Sequence, residues 1–384
     1  MHHSLTPQAL AELKTFASAP CLSLYQPTHR SHPDNQQDLL HFRRGIEALV
    51  SSLEQQYSAQ DTQTLIAPFQ ALAADTDFWN HTLDGLAVLG GAGLFRVFML
   101  PRPVAELTIV ADSFHTKPLR RFLQSSGRYQ VLGLSRQSIR LFEGDRDSLT
   151  ELELEPGVSH TVDEALGEHR SEPHHAVASY GGVGGASSPM HHGHGGKKDV
   201  LDKDAERFFR AVDRAVVEHH SKPSGLPLIL AALPEHHHLF QKVSHNAQLL
   251  ATGIDSSPDA LTLDQLRQRA WLALEPEYLA QQARWADEFG SARAKGLGSD
   301  SLAEVAKAAA QGRVSRLLIE AERQIAGRLE SGSGSLTAQD LENPQVDDLL
   351  DDLGELVEQM GGQVHVLPAD RMPCSTGLAA IYRH

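Results

Sequence analysis

Apolar residues recur along this chain in two rhythms, and the places where one rhythm gives way to the other mark its elements. Leu39, Phe42, Ile46, Leu49, Val50 and Leu53 keep the spacing of one helix face. Residues 5–18 and 62–74 read as shorter helices, the second leading to Phe78-Trp79. Between them Cys21 to Tyr25 is a strand-like run that ends in the turn signal Gln26-Pro27-Thr28. The period then shortens. Residues 84–89, 94–100 and 106–111 are apolar runs parted by Gly90-Gly91 and by Pro101 and Pro103, which predicts strands. Lys117, Arg120 and Arg121 close a first α/β domain, residues 1–125.

Three further strand-like runs, 129–134, 138–142 and 149–154, are joined by short connectors, one of them holding Gly144-Asp145, so an antiparallel meander is the economical reading. A polar segment feeds a Gly/His-rich loop, residues 176–198. From Asp202 to His220, Ala205, Phe208, Phe209, Val212, Ala215 and Val216 share one helix face, and Lys203, Arg207, Arg210 and Arg214 share the opposite one, with Glu206 and Asp213 as flanking ion pairs. Asp199 or Asp202 would cap this helix, and the free amides of its first turn suit an anion. A strand at 226–233, a helix at 235–244 and a short strand at 249–253 complete a middle domain, residues 126–260. Meander followed by alternating helix and strand describes a ribonuclease-H-like layout, and the pattern fits other α/β folds equally well.

Residues 261–296 read as linking helices interrupted at Pro276. In the last domain, 297–384, Leu302, Val305, Ala306 and Ala309 mark a helix and residues 314–320 a strand, and Ser331-Gly-Ser-Gly-Ser335 reads as a flexible connector. Val346, Leu349, Leu350, Leu353, Leu356, Val357 and Met360 then mark an amphipathic helix whose exposed side carries Asp347, Asp348, Asp351, Asp352, Glu355 and Glu358. Strands at 363–367 and 377–383 follow. The fold class is α/β throughout.

A formal charge of -15 on 384 residues excludes a general nucleic-acid coat, so any RNA contact must be local, and the basic stripe is the place for it. No apolar run approaches the roughly 20 residues of a membrane span, and Met1-His2-His3-Ser4 starts no signal peptide, so a cytoplasmic protein with no membrane partner is expected. Cys21 and Cys374, the two cysteines, supply neither a disulfide framework nor a thiolate zinc site. Glycines between Tyr180 and Asp199 make ordering costly, so the loop is either a tether or a probe. His191, His192 and His194 carry imidazole donors that could meet on one metal, but the loop offers no preformed geometry. His236-His237-His238 reads as a polar surface run, and Asp347-Asp348 with Asp351-Asp352 as a solvated face rather than a carboxylate metal site. No metal and no cofactor is called for.

The order of parts resembles a known family. A first α/β domain, the meander Val131-Leu-Gly-Leu-Ser-Arg-Gln-Ser-Ile-Arg-Leu-Phe-Glu-Gly144, a glycine-rich loop before a helix, and the ending Gly361-Gly-Gln-Val-His-Val-Leu-Pro368 with Gly377-Leu-Ala-Ala-Ile-Tyr-Arg383 are similar to bacterial relatives of the archaeal and eukaryotic class-I release factors and Pelota. The resemblance covers most of the chain and is clearest over residues 128–384. It implies a ribonuclease-H-like middle domain and a last domain like the ribosomal proteins that bind kinked RNA. It also implies a loop tip that in true release factors reads Gly-Gly-Gln and hydrolyses peptidyl-tRNA. Here the tip reads Gly195-Gly196-Lys197. Lysine offers donors only and cannot accept a hydrogen from an attacking water, although its backbone N–H could still support an oxyanion. Peptidyl-tRNA hydrolysis is therefore expected to be weak or lost. The literal Gly361-Gly362-Gln363 follows a helix and opens a strand, which predicts a helix cap.

The resemblance thus implies a release-factor-like protein acting on ribosomes or tRNA in termination, rescue or regulation. Lys198, Lys203, Arg207, Arg210 and Arg214 would meet RNA, and a protein partner would read the acidic C-terminal domain. Two alternatives stay open: a non-catalytic RNA or protein interaction module, and a histidine-loop metal-binding protein.

Overall fold

Alternation along the first strand sends Leu22 and Leu24 to one side of a sheet and Cys21 and Tyr25 to the other, and each side collects its own helices. The computed structural model describes residues 3–16, 18–167, 194–338 and 346–384, with backbone alone over 194–202. Contacts divide the chain into two units, Met1–Ser126 with Leu279–His384, and Gly127–Tyr278.

The first unit opens with α1 (Pro7–Lys14), β1 (Cys21–Pro27), α2 (Asp38–Leu53), α3 (Ala59–Ala74), α4 (Thr76–Trp79), β2 (Gly85–Gly91), β3 (Leu94–Leu100), β4 (Leu107–Ala111) and α5 (Lys117–Gln124). The strands form one antiparallel sheet in the order β3-β2-β1-β4. Phe42, Leu49, Ile66, Phe69 and Trp79 pack on the Leu22 face. Leu10 and Leu13 of α1 and Leu119 of α5 pack on the Tyr25 face.

In the second unit β5 (Tyr129–Leu134), β6 (Ile139–Gly144) and β7 (Leu149–Leu152) form the expected meander. After α6 (Val162–Leu166), α7 (His194–Val216) and α8 (Lys222–Ser224), the strand β8 (Leu228–Ala232) joins β5 in parallel. Helix α9 (Pro234–Val243) then leads to β9 (Ile254–Asp255), for a final order β7-β6-β5-β8-β9. Alternation again sorts the core: Leu132, Leu228 and Leu230 face α7 and α9, while Val131, Ile229 and Ala231 face Ala270, Trp271 and Leu274. The strand expected at 249–253 is displaced to Ile254–Asp255, leaving a single bridge from Leu249 to Leu228. Gly253 passes so close to β8 that a Cβ there would sit 2.6 Å from the Leu230 carbonyl.

Helix α10 (Leu263–Ala294) runs without the expected interruption. Pro276 withholds the hydrogen bond that the Leu272 carbonyl would receive, on a turn of the helix where Leu272 is 65% exposed.

The first unit resumes with β10 (Gly298–Ser299), α11 (Leu302–Ala310), β11 (Val314–Glu320), β12 (Ala326–Glu330), β13 (Ser335–Ala338), β14 (Asp347–Asp348), α12 (Leu349–Gln359), β15 (Gln363–Leu367) and β16 (Leu378–Tyr382). One sheet runs β10-β16-β11-β15, with β11 and β15 parallel, and a small sheet runs β13-β12-β14. Val305, Ala309, Leu350, Leu353 and Val357 of α11 and α12 cover the larger sheet. The segment expected to be a flexible connector is a hairpin turn instead. Glu330 pairs with Ser335, and Gly334, at a φ of 70°, donates its N–H to the Glu330 carbonyl at 2.8 Å.

Candidate functional site

The backbone of α7 is helical from His194 onward rather than from Asp202, so Gly195, Gly196, Lys197 and Lys198 fall in its first turns and not at a loop tip. The first four N–H groups of a helix need no partner within it, which makes glycine cheaper there than in the interior. His191 and His192, with the rest of the loop 176–193, lie outside the described residues.

Further along, the helix has the two faces expected. Phe208, Phe209, Val212 and Val216 are buried, with the Phe209 ring 6.0 Å from Phe240. Lys203, Arg207, Arg210 and Arg214 are all exposed along the other side. Arg210 Nη2 donates to Glu206 Oε1 at 2.8 Å, which holds the Glu206 carboxyl below its usual range, and Arg207 lies 3.7 Å from Asp204. Such exposed pairs contribute little and leave the stripe open to a stronger anion.

Asp213 is not the exposed flanking ion pair expected. It is buried, and its carboxylate accepts from Ser244 Oγ at 2.5 Å and from the His245 N–H at 2.8 Å. Past α7 the chain makes a π-helical turn, Val217–Ser221, whose Ser221 Oγ accepts from Asn246 Nδ2 at 2.8 Å. These bonds tie the loop after α9 to the end of α7. Beside them a surface pocket of about 420 Å³ is lined by Arg210, Asp213, Arg214, Glu218, Lys222 and His245. His236 and His237 are buried rather than a surface run: the His236 ring lies 5.8 Å from Phe209, and His237 Nε2 lies 3.0 Å from the Ile254 carbonyl. They share the buried face of α9 with Phe240 and Val243.

A second charged constellation occurs in the first unit, and sequence reasoning placed it wrongly. Asp347, Asp348 and Asp351 do not face solvent; their exposures are 5%, 0% and 1%. They are covered by His115, Lys117 and Arg120, themselves 0%, 1% and 2% exposed. Lys117 Nζ bonds Asp348, Arg120 Nη1 lies 3.7 Å from Asp351 and its Nη2 donates to Glu358 at 3.3 Å. Lys14 also pairs with Glu358. Thr116 donates its N–H to Asp351 Oδ2 at 2.6 Å. In α5 the buried residues are Lys117, Leu119 and Arg120, so the face that packs inward carries two cations with it. Asp347, Asp348, Asp351 and Glu358, among the six carboxylates that an outside protein was expected to read, are thus engaged within the unit.

Within the seam, His115 Nδ1 lies 3.3 Å from Asp347 Oδ1 and 3.6 Å from Asp351 Oδ2, and these three are the residues able to hold a metal among those described. Burial opposes a charged imidazole at His115, and the Asp351 and Asp347 carboxylates outweigh it, raising its pKa. Burial also raises Asp347 and Asp352, and pushes Glu355 up to about 8 with help from the Asp351 charge.

Residues 128–313 match the model of the family described as bacterial archaeo-eukaryotic release factor family 3. No curated protein matches. Among solved structures the chain is similar to the archaeal translation termination factor aRF1, at 17% identity over 99% of both chains with a TM-score of 0.26. It is similar to Saccharomyces cerevisiae Dom34, a translation termination-like factor, at 15% identity over 76% of this chain and 72% of that one, with a TM-score of 0.39. It is also similar to archaeal Pelota from a ribosome-bound model, at 12% identity over 99% and 95%, with a TM-score of 0.42. The matched stretch begins just before β5, takes in the whole meander and the two-faced helix α7, and ends just before β11, and over those residues the chain is similar to the bacterial archaeo-eukaryotic release factors.

Proposed function

We propose that this protein acts on ribosomes or tRNA in translation termination, rescue or regulation, with α7 as its RNA-facing element. The observation that carries the reading is the exposed stripe of Lys203, Arg207, Arg210 and Arg214, opposite a fully packed face and inside the residues that match the release-factor family. On a chain of net charge -15 such a stripe concentrates cations where phosphate contacts would count. The chain is read as cytoplasmic, with a ribonuclease-H-like middle domain over residues 126–260. No helix among the described residues is long and apolar enough to cross a membrane.

Co-sedimentation with ribosomes tests this. Arg210→Glu with Arg214→Glu should weaken pelleting and lower the slope of log affinity against log salt by about 2, with the thermal midpoint unchanged. Unchanged pelleting in a folded variant would make the stripe a solvated face.

Gly195-Gly196-Lys197 stands where a release factor would carry its hydrolytic tip, and peptidyl-tRNA hydrolysis is read as weak or lost. Lys197→Gln should raise release on ribosomes if that turn reaches the ester; no gain would favour the second reading, a non-catalytic RNA interaction module. That second reading is favoured by the helical backbone at these glycines.

A further inference from the structure

We infer that His115, Asp347 and Asp351 form a binding site for one divalent transition-metal ion of the zinc class. The donors are one imidazole nitrogen and two carboxylates, a set that zinc accepts. His115 Nδ1 lies 3.3 and 3.6 Å from the two carboxylate oxygens. An ion with bonds of about 2.1 Å holds tetrahedral ligands about 3.4 Å apart, so the two nitrogen–oxygen separations are close to the edge lengths such an ion requires, and all three ligand atoms lie within 4.8 Å of one another.

Charge points the same way. Lys117 is taken by Asp348, and Arg120 and Lys14 serve Asp351 and Glu358. Among the described residues no lysine or arginine pairs with Asp347, Asp352 or Glu355, which crowd the same end of α12. A divalent ion bound at His115 Nδ1 would supply two positive charges to these carboxylates.

The ligand oxygens are also held from behind. Asp347 Oδ1 accepts the Asp348 N–H at 2.7 Å, and Asp351 Oδ2 accepts the Thr116 N–H at 2.6 Å, bonds that fix a carboxylate's orientation before an ion arrives. A cavity of about 260 Å³, lined by Asp112, Arg328, Asp347, Asp352 and Glu355, meets the site at Asp347, so an ion would enter from that side past four carboxylates and one guanidinium. The ion would staple His115 to an aspartate 232 residues away in sequence.

The full-length protein, without an affinity tag, is loaded with excess Zn²⁺, dialysed and assayed for metal. About one zinc per chain should remain, and X-ray absorption at the zinc edge should show one imidazole nitrogen among oxygen ligands. Changing His191, His192 and His194 together to Ala should leave that zinc in place. Asp347→Asn, whose carboxylate pairs with no lysine or arginine, should weaken binding at least tenfold. The absorption spectrum of the natural protein needs no variant, so the inference stays testable if Asp347→Asn fails to fold. Retention of no zinc, a shell of several imidazoles, or loss of the ion in the triple histidine variant would each overturn it.

Discussion

Lys117 and Asp348 form an ion pair with both side chains shut from water, at 1% and 0% exposure. The same carboxylate accepts the N–H of Leu350, capping α12, and the N–H of Ile325 at 2.9 Å, while Lys117 also bonds the Arg323 carbonyl. One aspartate therefore closes a helix, ends a loop and neutralises a lysine carried by α5.

Removing one partner strands a buried charge. Lys117→Met or Asp348→Ala alone should lower unfolding free energy by about 3–5 kcal/mol in urea titration, because desolvation of the remaining ion is no longer offset. The double variant Lys117→Met with Asp348→Asn should recover part of that loss. Strictly additive losses would show that the two residues are not coupled.

Asp213 should behave oppositely to its neighbour on the helix. Asp213→Ala leaves Ser244 Oγ and the His245 N–H without their acceptor and should cost about 1–3 kcal/mol. Arg214→Ala, one residue on and exposed, should change stability by no more than about 0.5 kcal/mol. Equal effects would contradict the burial that separates them.

Gly361 holds a φ of 75° after α12, and the Gly362 N–H donates to the Val357 carbonyl at 2.8 Å, the bond of a helix stop. Gly361→Ala should cost about 1 kcal/mol by chemical denaturation. Gln363 opens β15 and accepts from Arg316 Nη2 at 3.1 Å, so Gln363→Ala should leave any peptidyl-tRNA release unchanged. A loss of release at Gln363 would move the chemistry away from α7.

The strand-like runs of β1, β5 and β8 and the helical spacing of α2 and α12 were legible because each is a local pattern that burial then rewards. What could not be read locally went wrong. Asp347, Asp348 and Asp351 look like the wet side of an amphipathic helix until Lys117, Arg120 and His115 arrive from far up the chain to cover them. His236 and His237 look like surface because polar runs usually are, whereas Phe209 and the Ile254 carbonyl give both rings a buried berth. Pro276 signals a break, yet α10 runs through it. The exposure of Lys203, Arg207, Arg210 and Arg214 was legible because both faces of one helix are encoded within its own residues, whereas the burial of Asp213 was not, since its partners Ser244 and His245 come from another element.

His365 supplies the pH dependence that stands apart from the acidic seam. Its ring stacks on Trp285 with centroids 3.8 Å apart and planes 17° from parallel, and its Nε2 is buried without a hydrogen-bond partner. Burial first, and then the charge of Arg316, push its pKa from 6.5 down to about 4. Between those values the unfolded chain binds a proton that the folded one refuses, so stability falls as pH drops from 6.5 to 4 and is constant above. With partial solvent access at the ring, a loss of about 1–2 kcal/mol is expected over that window. His365→Phe keeps a ring against Trp285 and removes the titration, and should flatten the profile. Urea midpoints at several pH values, read by tryptophan fluorescence, make the comparison. An acid limb of the same steepness in the phenylalanine variant would assign the pH dependence to another group.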